Sequence, residues 1–136
     1  MRVMIDSNII ISALVFKSSN MAKVIESICA RQELCIASCC IDEVRDVMGA
    51  KFNNADGRLD EFFGSLPFTL VQTPDKLGAP LFEIRDNKDY AILYTAIIGQ
   101  IDIFITGDKD FSSVKVDRPE IMHPLDYLEL YPANPI

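Results

Sequence analysis

Residues 2–8 read RVMIDSN and residues 103–110 read IFITGDKD, and the way each stretch ends decides the fold. In both, an uninterrupted apolar run stops at an aspartate within a few polar residues. An Ile/Val-rich run with no polar alternation suits a strand covered on both faces. The polar residues that follow are turn formers and helix caps. Arg2–Ile5 is therefore read as a strand, with Asp6, Ser7 and Asn8 as the turn that caps a helix opening at Ile9–Ile11.

The same logic extends outward. Val24, Ile25 and Ile28 lie on one face of a helix over Met21–Cys29, capped by Ser18, Ser19 or Asn20. Leu34–Ala37 reads as a second buried strand, and Ser38 as the cap of a helix over Cys39–Gly49 with Ile41, Val44 and Met48 inward. Asp56–Ser65 is a further short helix, placing Leu59, Phe62 and Phe63 inward. Phe68–Val71 is a third strand, between Pro67 and Pro74. Residues 72–85, with Pro74, Gly78 and Pro80, form a loop. A helix then runs from a cap at Asp86 or Asn87 to Ile98, burying Ala91, Ile92, Thr95, Ala96 and Ile98. Ile103–Thr106 is the fourth strand, Glu120–Met122 a short fifth, and Pro124–Leu130 a last helix with proline in its first turn. Helices alternating with continuous apolar strands predict one α/β domain, residues 1–136, with a parallel sheet.

Composition narrows the function. The chain has 136 residues, 49% of them apolar, and a formal net charge of −7. That charge opposes a protein that coats nucleic acid by bulk attraction. No run of about 18 uncharged apolar residues occurs, so no membrane span is expected. Asp6 would interrupt the apolar core of any signal peptide. Cys29, Cys35, Cys39 and Cys40 fit neither a disulfide scaffold nor the separated pairs of a zinc site, and read as small buried apolar residues. The expected location is the cytoplasm. Neither a GxxxxGK[ST] nor a GxGxxG phosphate loop is present.

What remains is carboxylate. In parallel α/β sheets ligands bind beyond the carboxyl ends of the strands. Asp6 and Asp108 follow two strands that would be neighbours, Asp110 comes two residues later, and Asp86 and Asp89 share a face at the start of a helix. Glu43 lies in the first turns of another. Carboxylates gathered in one crevice raise one another's pKa, and a hard divalent cation relieves them. His123 is read as a cap neighbour, and Asp42 as pairing with Arg45. Phe52, Phe62 and Phe63 read as core, leaving no aromatic side chain identified for base stacking. On the residues alone this is a Mg²⁺ or Mn²⁺ site of unassigned use, open to a phosphoryl-transfer domain or to a non-catalytic binding module in a protein or RNA complex.

Four blocks carry a resemblance. IDSNIIISAL at 5–14, SCCIDEVRDVM at 38–48, and DYAILYTAIIGQIDIFITGDKDF at 89–111, which spans two blocks, resemble the successive motifs of the PIN domain family. In overall pattern the chain is similar to small stand-alone PIN proteins that act as toxins of toxin–antitoxin pairs. The resemblance implies a three-layer α/β/α fold with strand order 3-2-1-4-5. It implies a metal-dependent endoribonuclease acting on single-stranded RNA and leaving 5′-phosphate and 3′-hydroxyl ends. Asp6, Glu43, Asp89 and Asp108 would be the catalytic acids and hold one or two Mg²⁺ or Mn²⁺ ions, with Asp110 and then Asp86 as further ligands. Ser7, Asn8, Thr106 and Gly107 would support them. Lys17, Arg45, Lys88 and Lys109 are candidates for contact with substrate phosphate. A cognate antitoxin and a homodimer are the partners implied.

Overall fold

A computed structural model provides the structure, which describes residues 1–51, 55–78 and 80–132. Five strands, β1 (Arg2–Ile5), β2 (Glu33–Ala37), β3 (Phe68–Val71), β4 (Ile103–Ile105) and β5 (Glu120–Met122), form one sheet in the order β3-β2-β1-β4-β5. Every pairing is parallel, with Ile5 opposite Ile105 and Met4 opposite Cys35. The order grows from β1 toward β3 on one side and toward β5 on the other. With every neighbour parallel, crossovers connect the strands, and the right-handed crossover general to such sheets puts helices on both faces, the three-layer arrangement expected. The helices are α1 (Ser7–Leu14), α2 (Ser19–Arg31), α3 (Ser38–Lys51), α4 (Ala55–Ser65), α5 (Asn87–Ile98) and α6 (Pro124–Leu130). None is long and apolar enough to cross a membrane.

The core forms where sheet and helix faces meet. Val3, Met4 and Ile5 of β1 and all of β4 are buried, which is why these strands show no polar alternation. Phe104 meets Phe111 edge to face, 5.2 Å between ring centres. Caps set the helix starts: the Ser18 hydroxyl accepts the Met21 N–H at 3.3 Å, and the His123 Nδ1 accepts the Leu125 N–H at 3.2 Å. His123 is thus itself the cap of α6.

Several readings need correction. Ser38 does not cap α3; it is the helix's first residue, and its hydroxyl accepts the Thr73 N–H at 2.8 Å. Ile98 is 45% exposed, whereas Leu93 is buried. Helical stepping of 100° explains this, because Ile92, Leu93, Thr95 and Ala96 share one face and Ile98 falls about 140° from its middle. At the sheet edge, β3 is not covered on both sides: Thr69 is exposed and Leu70 is 52% exposed. Arg45 pairs with Asp60 of α4 at 3.1 Å rather than with Asp42. Phe52 lies outside the described residues.

The described residues of the 72–85 stretch are irregular as expected, but they are tied down by α5. The Tyr94 hydroxyl accepts the Gly78 N–H at 2.8 Å and that of Tyr90 accepts the Leu81 N–H at 3.2 Å. A Cβ on Gly78 would stand 2.7 Å from the Tyr94 oxygen, so any larger residue there displaces the Tyr94 hydroxyl from this bond.

Candidate active site

The β1–β4 register builds the centre of the site. Asp6 leaves β1 as the N-cap of α1, 6% exposed, its Oδ1 accepting the Ser7 N–H at 2.7 Å and the Ser7 hydroxyl at 3.3 Å. Its Oδ2 accepts the Thr106 hydroxyl at 2.7 Å. Thr106 directly follows β4, and its oxygen in turn accepts the Asp108 N–H at 3.1 Å. One threonine therefore fixes the Asp6 carboxylate and the backbone that presents Asp108.

The remaining acids arrive from helix starts, whose unpaired N–H groups favour an acceptor. Asp108 caps a 3-10 turn, Lys109–Phe111, by accepting the Asp110 N–H at 2.9 Å. Asp86 caps α5, accepting from the Lys88 N–H at 2.7 Å and the Asp89 N–H at 3.3 Å, and so places Asp89 in the first turn. Asp6, Glu43, Asp86, Asp89, Asp108 and Asp110 all line one cavity of about 200 Å³, with Ser7, Asn8, Lys88 and Ile92. The tightest group is Asp89, Asp108 and Asp110, with one carboxylate oxygen from each within 4.8 Å of the others. Asp110 thus stands nearer Asp89 and Asp108 than its rank among the sequence candidates suggests. Glu43 and Lys88 also border a neighbouring hollow of about 280 Å³, lined by Cys39, Asp42, Asp46, Asn87 and Ala91.

Burial and mutual repulsion leave their mark. The Asp6 carboxyl is pushed up chiefly by desolvation, against the hydrogen bonds from Thr106 and Ser7. Burial, then the charge of Asp6, raises Glu43. Asp89 rises from 3.8 to about 6, through burial first and then the charges of Asp108, Asp86, Asp6 and Asp110.

A second set of contacts holds α3 against α5. The Cys39 N–H donates to the Thr73 hydroxyl at 3.2 Å, reciprocating the Thr73–Ser38 bond. The Thr73 and Thr95 hydroxyls bond at 2.9 Å, and that of Thr95 also reaches the Ala91 carbonyl at 2.7 Å. This bridge sets the helix bearing Glu43 beside the helix bearing Asp89. Thr73 carried no sequence signal and Thr95 read only as a buried helix position, because the partners of Thr73 lie tens of residues away.

The structure does not gather every candidate. Of the cationic four, only Lys88 lines the cavity; Lys17 sits in an exposed loop with φ 51°, Arg45 is engaged by Asp60, and Lys109 is exposed on the 3-10 turn. At Gly107 a Cβ would meet open space and φ is not positive, so neither a protein neighbour nor the backbone conformation calls for glycine there.

The fold is similar to that of a chain in the crystal structure of VapBC2 from Rickettsia felis bound to a DNA fragment from their promoter. The TM-score is 0.70, at 16% identity over 90% of this chain and 98% of that one. At that identity the likeness is one of fold. No curated protein matches the sequence significantly. A sequence model of the PIN domain matches residues 2–110, from the first strand through the last of the clustered acids. On that match over most of its length, the chain belongs to the PIN domain family.

Proposed function

We propose that the chain is a divalent-metal-dependent endoribonuclease that hydrolyses phosphodiester bonds of single-stranded RNA. The observation that carries this reading is the convergence of six carboxylates in one cavity at the carboxyl ends of β1 and β4. Membership of a family whose members are generally nucleases supports it.

The donor set fits Mg²⁺ or Mn²⁺. All candidate ligands are hard carboxylate oxygens. One carboxylate oxygen from each of Asp89, Asp108 and Asp110 lies within 4.8 Å of the other two, a separation comparable with the ~4.2 Å between opposite ligands of an octahedral Mg²⁺. The raised Asp89 pKa marks a site short of positive charge. Asp89, Asp108 and Asp110 would hold one ion, and Asp6 and Glu43 complete the site or hold a second. When bound, the ion supplies a Lewis acid that makes water a better nucleophile and offsets charge on the phosphoryl oxygens.

The chain's own groups do the rest. Ser7 and Thr106 lock the Asp6 carboxylate so that it need not reorganise during the reaction. Lys88, on the same wall, holds a non-bridging phosphate oxygen of the substrate. Water adds to phosphorus, the bond to the 3′ oxygen breaks, and the products carry a 5′-phosphate and a 3′-hydroxyl. Residues 1–136 act as one cytoplasmic domain, as a homodimer held inactive by a cognate antitoxin; the shared fold with the VapBC2 chain supports this pairing.

The test is cleavage of an unstructured RNA by purified protein in Mg²⁺, Mn²⁺ or EDTA, beside Asp6→Asn. Metal-dependent cleavage is expected, and its loss in a folded Asp6→Asn protein by more than the roughly 10–100-fold typical of an outer partner. No cleavage under any metal condition, by folded protein free of antitoxin, overturns the reading.

A further inference from the structure

Beside the acidic cavity runs a groove of about 570 Å³, lined by Phe82, Glu83, Ile84, Arg85, Tyr90 and Ser113. Each wall belongs to the same backbone as a wall of the cavity. Arg85 precedes Asp86, Tyr90 follows Asp89, and Ser113 comes three residues after Asp110. The residues lining groove and cavity are therefore neighbours along the chain, with Cα atoms ~3.8 Å apart at Arg85–Asp86 and at Asp89–Tyr90. The groove's interior differs in kind. Phe82 stacks on Tyr90 with 4.5 Å between ring centres and 21° between planes, and Tyr90 stacks on Tyr94 at 5.9 Å and 30°. Among the described residues Phe82 therefore ends a row of three rings, half-buried and packed in part against the core, with Tyr90 on one face. Arg85 is exposed and makes no ion pair among the described residues.

From this arrangement we infer that the Phe82–Arg85 groove is a nucleotide subsite: a base of single-stranded RNA stacks on the Phe82–Tyr90 pair while Arg85 contacts the phosphate beside it. The inference rests on the RNA-cleaving reading and extends it by naming what holds the strand. Its size lies within the ~300–1,000 Å³ of small-ligand sites. Aromatic faces take up bases with little regard to sequence, and a guanidinium supplies the charge the phosphate needs. Glu83 leaves the groove without net charge, so the ring faces carry most of the binding, and its carboxylate suits base edges with N–H donors over those without. Lys88 and Arg85 lie on either side of Asp86 in sequence, which would set successive phosphates at the cavity and at the groove.

Binding and cleavage are measured separately. Binding uses a fluorescein-labelled, unstructured RNA and Mg²⁺ in an Asp108→Asn background, so that the strand is held uncut. Phe82→Leu, which fills the space without a ring, weakens binding at least about fivefold, the lower end for one lost base stack. Phe82→Tyr binds like its parent, which separates stacking from a folding defect. Arg85→Ala reduces the slope of log K against log salt by about 0.7, one phosphate contact on a single strand. Unchanged affinity in Phe82→Leu together with an unchanged slope in Arg85→Ala overturns the subsite, and so does a parent that binds no RNA. With Asp108 intact, cleavage whose KM ignores Phe82→Leu sinks the subsite and leaves the nuclease standing. Ring-dependent binding without cleavage does the reverse.

Discussion

Asp89 is opposed in its ionisation from five directions, by burial and by the charges of Asp108, Asp86, Asp6 and Asp110, and its pKa reaches about 6. A cation at that carboxylate must displace the proton that these neighbours stabilise. Mg²⁺ or Mn²⁺ affinity is therefore expected to fall as pH drops through about 6, with proton uptake by the protein as metal leaves. Calorimetry in two buffers of different ionisation enthalpy measures this, and Asp89→Asn flattens the dependence. Thr106 offers a second test at this scale. Thr106→Val keeps the shape but removes the hydroxyl that Asp6 and the Asp108 N–H share. Metal affinity and cleavage should fall about 10–100-fold, and Thr106→Ser should restore both. Asp6 and Asp108 were legible as candidates because strand ends announce themselves in an apolar run. The Thr106–Asp6 bond was not, since 100 residues separate its partners. Arg45 misled for the same reason: Asp60, on another helix, outcompetes the helical neighbour Asp42.

Among the elements, the junction of α3, β3 and α5 is held by Ser38, Thr73 and Thr95 rather than by apolar contact alone. Thr73→Val strips the Cys39 N–H of its acceptor, and an unsatisfied, partly buried donor costs about 1–3 kcal/mol. Urea unfolding should show that loss, and Thr73→Ser should recover most of it. If the bridge also sets Glu43 against Asp89, metal affinity falls in Thr73→Val at temperatures well below its Tm. Boundaries of the five strands and six helices were readable to within a few residues, because caps and prolines are local signals. Three features were not local. Ser38 looks like a cap until Thr73, 35 residues on, claims its hydroxyl. Phe68–Val71 reads as a strand covered on both faces until β3 proves to be the last strand of the sheet, with Leu70 exposed. Phe82 and Tyr90 look like unrelated aromatics until the loop folds back onto α5.

For the molecule as a whole, the acidic centre costs stability, and on the proposed function it gains metal affinity in return. Asp6, Glu43 and Asp89 all have pKa values raised in the folded state. At these three carboxylates the native protein binds more protons than the unfolded chain, and the stability they contribute falls as pH rises, whereas the lowered Asp102 acts the other way below its ordinary 3.8. For Asp89 the window runs from its ordinary 3.8 to about 6. Metal-free protein is expected to lose Tm across that window, by differential scanning calorimetry. Saturating Mn²⁺ or Mg²⁺ should restore it near neutral pH, by about 2.7 kcal/mol at a hundredfold excess over Kd, and do little at pH 4. The strand order has a further consequence, in time rather than in space. The sheet's middle strand is the first one translated, and its β4 side stays open until residue 103 has been added. At ~5–20 residues per second, Asp6 waits roughly 5–20 s on the ribosome for Thr106 and Asp108 to exist. A nascent or prematurely terminated chain carries one end of the acidic centre without the other. On the proposed activity, it is silent toward the message from which it is being read.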